Sequence, residues 1–253
     1  MLKEINKDHL IVKIFNTRSE MGKAVAKQAA CLINKLLEEK EFVNIIFAAA
    51  PSQNEVLSSL LEEDIEWSRI NAFHMDEYVG LHADAPQGFA NFLKERLFTK
   101  VNFNNVFCLN GNAENVEDEA KRYAALLEQY PVDLVCMGIG ENTHIAFNDP
   151  HVADFNDDKL VKIVDLDLAC RQQQVNDGCF SMISEVPTHA LTLTVPALIK
   201  AKYVLCTVPS IKKAKAVYQT LNEDICENYP STILRKHENA ILYIDKDSSH
   251  LIN

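Results

Sequence analysis

The chain has 253 residues, 47% hydrophobic and 24% charged, with a formal net charge of −11. That suits an ordinary globular fold with a sizeable core and argues against a general affinity for nucleic acid or anionic membrane. Only 7 residues are glycine, under half the usual ~7%. Neither G-x-G-x-x-G nor G-x-x-x-x-G-K-[ST] occurs, which disfavours a Walker-type ATPase and a standard dinucleotide fingerprint.

Residues 10–15 (LIVKIF) open the chain's expected elements as a strand. Thr17, with Glu20 three residues on, is a capping-box start. Met21, Val25, Ala29, Leu32, Ile33 and Leu36 carry the helical period to about residue 39. Residues 43–49 are nearly all apolar, as in a parallel-sheet strand buried on both faces. A helix through Val56, Leu57, Leu60 and Leu61 follows, then a strand at 70–75 and a helix marked by Phe89, Phe92, Leu93 and Leu97. Next come a strand at 106–108, a helix over 116–128 and a strand at 132–137. Beyond a long loop, 190–195, 203–208 and 240–244 are strands, with a helix over 212–221 between the last two. This alternation predicts an α/β fold with a doubly wound, mostly parallel sheet and helices on both faces, in a single domain over residues 1–253.

The 7 cysteines include no C-x-x-C pair. Cys108, Cys136 and Cys206 lie in apolar runs, and the cysteines read as reduced core thiols of a cytoplasmic protein. The N-terminus is too polar for a secretory signal. No apolar run approaches the ~20 residues of a membrane span.

Ligands of such sheets bind outside the carboxyl ends of the strands, and polar segments at those ends hold the candidate chemistry. Asp76 and Glu77 follow the 70–75 strand. A carboxylate there can shuttle a proton from a rigid support, or can cap the next segment. Gly138 and Gly140 open a tight path in which His144 stands between Glu141 and Asp149. A carboxylate on one ring nitrogen orients an imidazole for proton transfer at the other; a structural loop histidine is the alternative. Lys213 opens a helix after a strand, a placement that is unfavourable unless an anion sits there. The alternative is a solvated lysine-rich face. His74 and Asp76 could form a metal pair, but no third ligand stands at a recognised spacing.

Taken together, MDEYVGL (75–81), PQGF (86–89), LNGNA (109–113) and GIGENTHIAFNDP (138–150) resemble the glucosamine-6-phosphate deaminase/isomerase family over about residues 10–245. That family shares its fold with the 6-phosphogluconolactonases. The resemblance implies conversion of an amino sugar 6-phosphate, glucosamine or galactosamine, to a ketohexose 6-phosphate and ammonia, with no cofactor and no metal. It implies that Asp76 carries the proton between C2 and C1 and that His144 opens the ring. Glu141 and Asp149 are then the charged partners of His144. Ser52, Gln53, Asn142, Arg171 and Lys213 are the expected substrate contacts, with Lys213 and Arg171 on the phosphate.

Three departures stand out. Asn142 occupies the family's usual Asp position and Thr143 its usual Gly. The segment after the second expected strand is Ala50-Pro51-Ser52-Gln53 instead of a T-G-G-T-like turn. The glycine a few residues ahead of the phosphate lysine is missing. These departures motivate a non-catalytic sugar-phosphate-binding paralogue as one alternative; a lactonase-type hydrolase is the other. His189 stands where lactonases carry an arginine, and I-A-F-N-D-P leans to the deaminase side. The expected partner is a phosphorylated amino sugar. Regulated hexamers among relatives leave a homo-oligomer open.

Overall fold

The computed structural model describes residues 1–252. β1 (Lys3–Lys7) and β2 (Leu10–Phe15) form an antiparallel hairpin at one sheet edge. β1 lies outside the expected elements because its polar, mostly exposed residues carry no apolar signal. α1 (Arg18–Glu39) begins as expected: Thr17 Oγ1 accepts from the Glu20 N–H at 3.1 Å. The Glu20 carboxylate reaches back to the Asn16 N–H, one residue before the usual capping-box donor. β3 (Val43–Phe47) is buried at every position, as a strand covered on both faces must be.

α2 (Asn54–Leu60) and β4 (Ile70–His74) follow. At Met75 the chain leaves the main sheet and at once forms β5 (Asp76–Tyr78). α3 (Phe89–Leu93) runs on into a π-helical turn, Lys94–Phe98. β6 (Asn105–Phe107), α4 (Val116–Gln129) and β7 (Leu134–Met137) fall within two residues of their expected bounds. The expected long loop contains β8 (Val161–Asp165) and α5 (Leu168–Asn176). Then come β9 (His189–Leu193), α6 (Val195–Ile199), β10 (Tyr203–Val208), α7 (Ala214–Asn222) and β11 (Ala240–Asp245).

The main sheet has eight strands in the order β1-β2-β11-β10-β7-β3-β4-β6. Every pairing except β1–β2 is parallel, which is the doubly wound architecture the alternation predicts. β9 does not join it. It pairs antiparallel with β5 and β8 in a separate three-stranded sheet. An apolar run does not name its partner strand; here the Leu193 N–H donates to Met75 O at 2.8 Å, where the chain has just left β4.

The chain runs β3, β4, β6 outward and then returns to place β7 on the other side of β3. This reversal of order is the topological switch point, outside which such sheets bind their ligands. Gln53, which follows β3, reaches across to the ends of β7 and β10: Nε2 lies 3.5 Å from Met137 O and 3.4 Å from Thr207 O.

All seven cysteines are free. Cys136, Cys170 and Cys206 are buried, but Cys108 is only partly so and Cys31 is exposed, so the thiols are not uniformly core residues. No helix among the described residues is long and apolar enough to cross a membrane.

Candidate active site

A cleft of about 440 Å³ opens at the switch point. Its walls come from the carboxyl ends of β3, β4, β7 and β10 and from the C-terminal turn of α5. Of the expected residues, Ser52, Gln53, Asp76, His144 and Lys213 line it; Glu141, Asn142, Asp149 and Arg171 do not.

Asp76 and Glu77 are consecutive residues of β5, so their side chains point to opposite faces. Glu77 turns toward α3, where its carboxylate accepts N–H bonds from Phe89 at 3.1 Å and Ala90 at 2.9 Å. Asp76 faces the cleft. The capping reading therefore falls to Glu77, and Asp76 is the carboxyl left facing the cleft. Burial, with the Glu77 charge added, pushes the Asp76 carboxyl well above the usual carboxylate range. Burial also raises Glu77, against its backbone hydrogen bonds.

His74 is no metal ligand in waiting. Its Nε2 accepts the Leu109 N–H at 2.8 Å, and burial pulls the ring down to about 3. It holds the Leu109 backbone against the end of β4 as a neutral ring.

The His144 loop is closed by the Gly140 N–H donating to His144 O at 2.9 Å and the Thr143 N–H donating to Gly140 O at 3.1 Å. The ring packs on Gly140 so closely that a Cβ there would fall 2.1 Å from His144 Cε1. Asn142 Oδ1 lies 2.7 Å from Nδ1, and Asp149 Oδ1 lies 3.0 Å from it. Both are acceptors, so Nδ1 carries the proton and Nε2 is the nitrogen left for chemistry. The Asn142 amide is oriented by its neighbours: Nδ2 donates to Asp149 Oδ1 at 2.8 Å. Burial works to raise Asp149, but the His144 charge and the hydrogen bonds from His144 and Asn142 outweigh it, and the carboxyl lies below its ordinary value.

Asn148 explains the rest of the I-A-F-N run. Its Nδ2 donates to Ile145 O at 2.9 Å and to Leu193 O at 2.8 Å, which fastens the loop to β9.

Glu141 is a correction. It is not a partner of His144: its buried Oε1 has no hydrogen-bond partner, and it lines a neighbouring hollow with Asn142, Lys215 and Tyr229. The closed turn sets Asn142 beside Nδ1, and the Glu141 N–H is held instead by Gln173 Oε1 at 2.9 Å. Asn142 is a second correction: it bonds the ring and Asp149 and does not line the cleft. Arg171 is a third. Its Nη2 donates to Ile183 O at 2.7 Å and Val186 O at 2.8 Å, so the guanidinium fastens the chain beyond α5 and does not line the cleft.

Lys213 ends a 3-10 turn, Ile211–Lys213, ahead of α7. It is 8% exposed, and its ammonium makes no hydrogen bond or ion pair among the described residues. Burial lowers it against the pull of Asp177 and Glu141. An unpaired ammonium at the end of a buried side chain, opening on a cleft, suits an anion. Gln53, by contrast, turns its amide to Ser52 Oγ and the strand ends, a bracing position.

Two absent glycines leave their backbone behind. Thr143 has φ +71° and Ser210, three residues ahead of Lys213, has φ +88°. Ser210 is held by its N–H, which donates to the Asp245 carboxylate at 3.1 Å. The Ala50–Gln53 segment is different: Ala50 is extended and Pro51 starts a 3-10 turn, so this wall is rebuilt around ordinary φ values.

His144, Asp149 and Cys170 place a ring nitrogen, a carboxylate oxygen and a thiol sulfur within 4.8 Å of one another. The ring and the carboxylate are bonded to each other, and burial keeps the thiol protonated. The donor set fits a hydrogen-bonded cluster better than a metal centre. The cleft also holds Arg96, Asp177 and Cys179, which no motif or spacing marks in the sequence. They reach the site through the π-helical turn and the end of α5.

Residues 16–243 match the family model described as glucosamine-6-phosphate isomerases/6-phosphogluconolactonase. The chain belongs to this family. As a member of the glucosamine-6-phosphate isomerase/6-phosphogluconolactonase family it is an enzyme. It is 33% identical over 240 residues to a glucosamine-6-phosphate deaminase of Bacillus cereus (strain B4264), covering 95% of this chain and 88% of that one. A Bacillus thuringiensis (strain Al Hakam) glucosamine-6-phosphate deaminase is 32% identical over the same shares. Among solved structures, a monomeric glucosamine-6-phosphate deaminase superposes with a TM-score of 0.87 at 28% identity, covering 95% of this chain and 99% of that one. A 6-phosphogluconolactonase of Thermotoga maritima superposes at 0.77 with 22% identity, over 94% of this chain and 100% of that one. This second likeness speaks for the fold alone.

Proposed function

We propose that the chain converts an amino sugar 6-phosphate, glucosamine or galactosamine 6-phosphate, to a ketohexose 6-phosphate and ammonia. One observation carries the reading: the Asp76 carboxyl, the His144 ring and the unpaired Lys213 ammonium share one cleft. Lys213 and the 51–53 turn suit the phosphate. His144 Nε2 shuttles a proton between the ring oxygen and the anomeric hydroxyl as the pyranose opens. Asp76 takes the proton from C2 and returns it at C1. Its raised affinity for a proton makes it a stronger base than an exposed carboxylate. Water then adds to the C2 centre and ammonia leaves. The relatives named as deaminases support this reading.

The test is ammonia release from each hexosamine 6-phosphate by the wild type, Asp76→Asn and His144→Gln. Turnover by the wild type alone is expected. No ammonia from either sugar refutes the reading. Hydrolysis of 6-phosphogluconolactone that survives Asp76→Asn would instead mark a lactonase, which needs the histidine and not Asp76.

A further inference from the structure

We propose that Arg96, carried on the π-helical turn, supplies the second cation at the phosphate end of the cleft, the part expected of Arg171. The proposal rests on the sugar-phosphate reading above. Lys213 is a single ammonium weakened by burial, and the cleft walls also carry Asp76, Glu95 and Asp177. One cation against that background is poor support for a phosphate dianion, and the Arg171 guanidinium is held by backbone carbonyls.

Arg96 is the guanidinium that lines the cleft. Nε donates to Asn54 Oδ1 at 2.9 Å, which fixes the group beside the residue that follows the Pro51–Gln53 turn. Nη1 bonds Glu95 Oε2 at 2.8 Å. The guanidinium carbon lies 3.9 Å from the centre of the Phe92 ring. Three restraints thus set its plane and position, and Nη2 makes no hydrogen bond among the described residues. From there its charge also reaches the Cys179 thiol, so it stands between the β3 wall and the end of α5. A planar fork held in advance loses little freedom on binding a phosphate. The π-helical turn widens the helix at Lys94–Phe98, a distortion that recurs at functional sites.

The test titrates inorganic phosphate into wild type, Arg96→Gln, Arg96→Lys and Arg171→Gln, read by thermal shift, alongside KM for the hexosamine 6-phosphate that turns over. Arg96 is one-third exposed, and the melting curve of each variant without phosphate reports its folding directly. Removing a charge-assisted contact predicts about ten- to hundred-fold weaker phosphate binding in Arg96→Gln, a smaller loss in Arg96→Lys, and binding within about two-fold of wild type in Arg171→Gln. Unchanged phosphate affinity in Arg96→Gln overturns the proposal even if ammonia is released. A wild type with no phosphate affinity overturns it too. Phosphate binding that depends on Arg96 without ammonia release supports it and refutes the deaminase reading alone.

Discussion

Thr143 is the residue whose substitution best tests how the His144 loop is held. Its φ of +71° is left-handed, a region that costs a β-branched residue ~1–2 kcal/mol. Its side chain is fully buried, and Oγ1 has no hydrogen-bond partner, which adds ~1–3 kcal/mol of desolvation. Thr143→Gly removes both penalties. Against this stand the lost burial of two carbons, Cβ and Cγ2, about 1.6 kcal/mol, and the entropy of a glycine in the unfolded chain, ~0.5–1 kcal/mol. The balance is a gain of about 1 kcal/mol, or ~2–4 °C in Tm for a chain of this size. Thr143→Ala separates the contributions, because it deletes the hydroxyl and keeps the Cβ that causes the strain. Thermal and urea unfolding of the three proteins provide the measurement. Glycine should be the most stable of the three. A glycine variant no more stable than the alanine variant refutes the strain argument.

Asp76→Asn should lower turnover by ~10²–10⁴-fold and change stability with a definite sign. Because the folded-state pKa of Asp76 is raised, its contribution is intact below the ordinary carboxylate pKa and is lost as pH rises through the folded value. The Asn variant should therefore melt at or above the wild-type Tm at pH 8; an equal loss at pH 4 and pH 8 would contradict this. For the same reason, wild-type activity should fall on acidification at a pH above the ordinary carboxylate range, as a pH–rate profile would show. Asn142→Asp puts a carboxylate where Nδ2 now donates to Asp149 at 2.8 Å. Asp149 is lowered, so its stabilisation is lost as pH falls through its folded pKa; with the amide gone, that loss should begin at higher pH. An unchanged acid limb of Tm against pH would refute the assignment. Arg171→Ala should lower stability by about 1–3 kcal/mol through its lost carbonyl bonds, with KM within about two-fold; a tenfold rise in KM would return Arg171 to the phosphate.

The alternating elements were legible because their signals are local. Thr17 caps α1, β3 is apolar on both faces, and both follow from residues a few positions apart. Asp76 and His144 were legible as candidates from their places after strands, and took distinct roles only through the family resemblance. Pairing was not: the run at β9 has the same pattern in either sheet, and only the chain's exit from β4 at Met75 assigns it to β5 and β8. The same holds for contacts made across the fold. Sequence order sets both Glu141 and Asn142 within three residues of His144, yet the turn closed on Gly140 gives the ring to Asn142 and Asp149. Arg171 looks free in one dimension and is held by Ile183 and Val186 in three. Arg96 reaches the cleft from a π-helical turn that follows α3, a placement no local spacing shows. The scarcity of glycine is a fact of composition. That Thr143 and Ser210 nevertheless hold left-handed backbone, while the Ala50–Gln53 wall is rebuilt without it, is settled by tertiary contacts. Surrounding hydrogen bonds and packing can over-determine a strained φ, and a sequence does not display them.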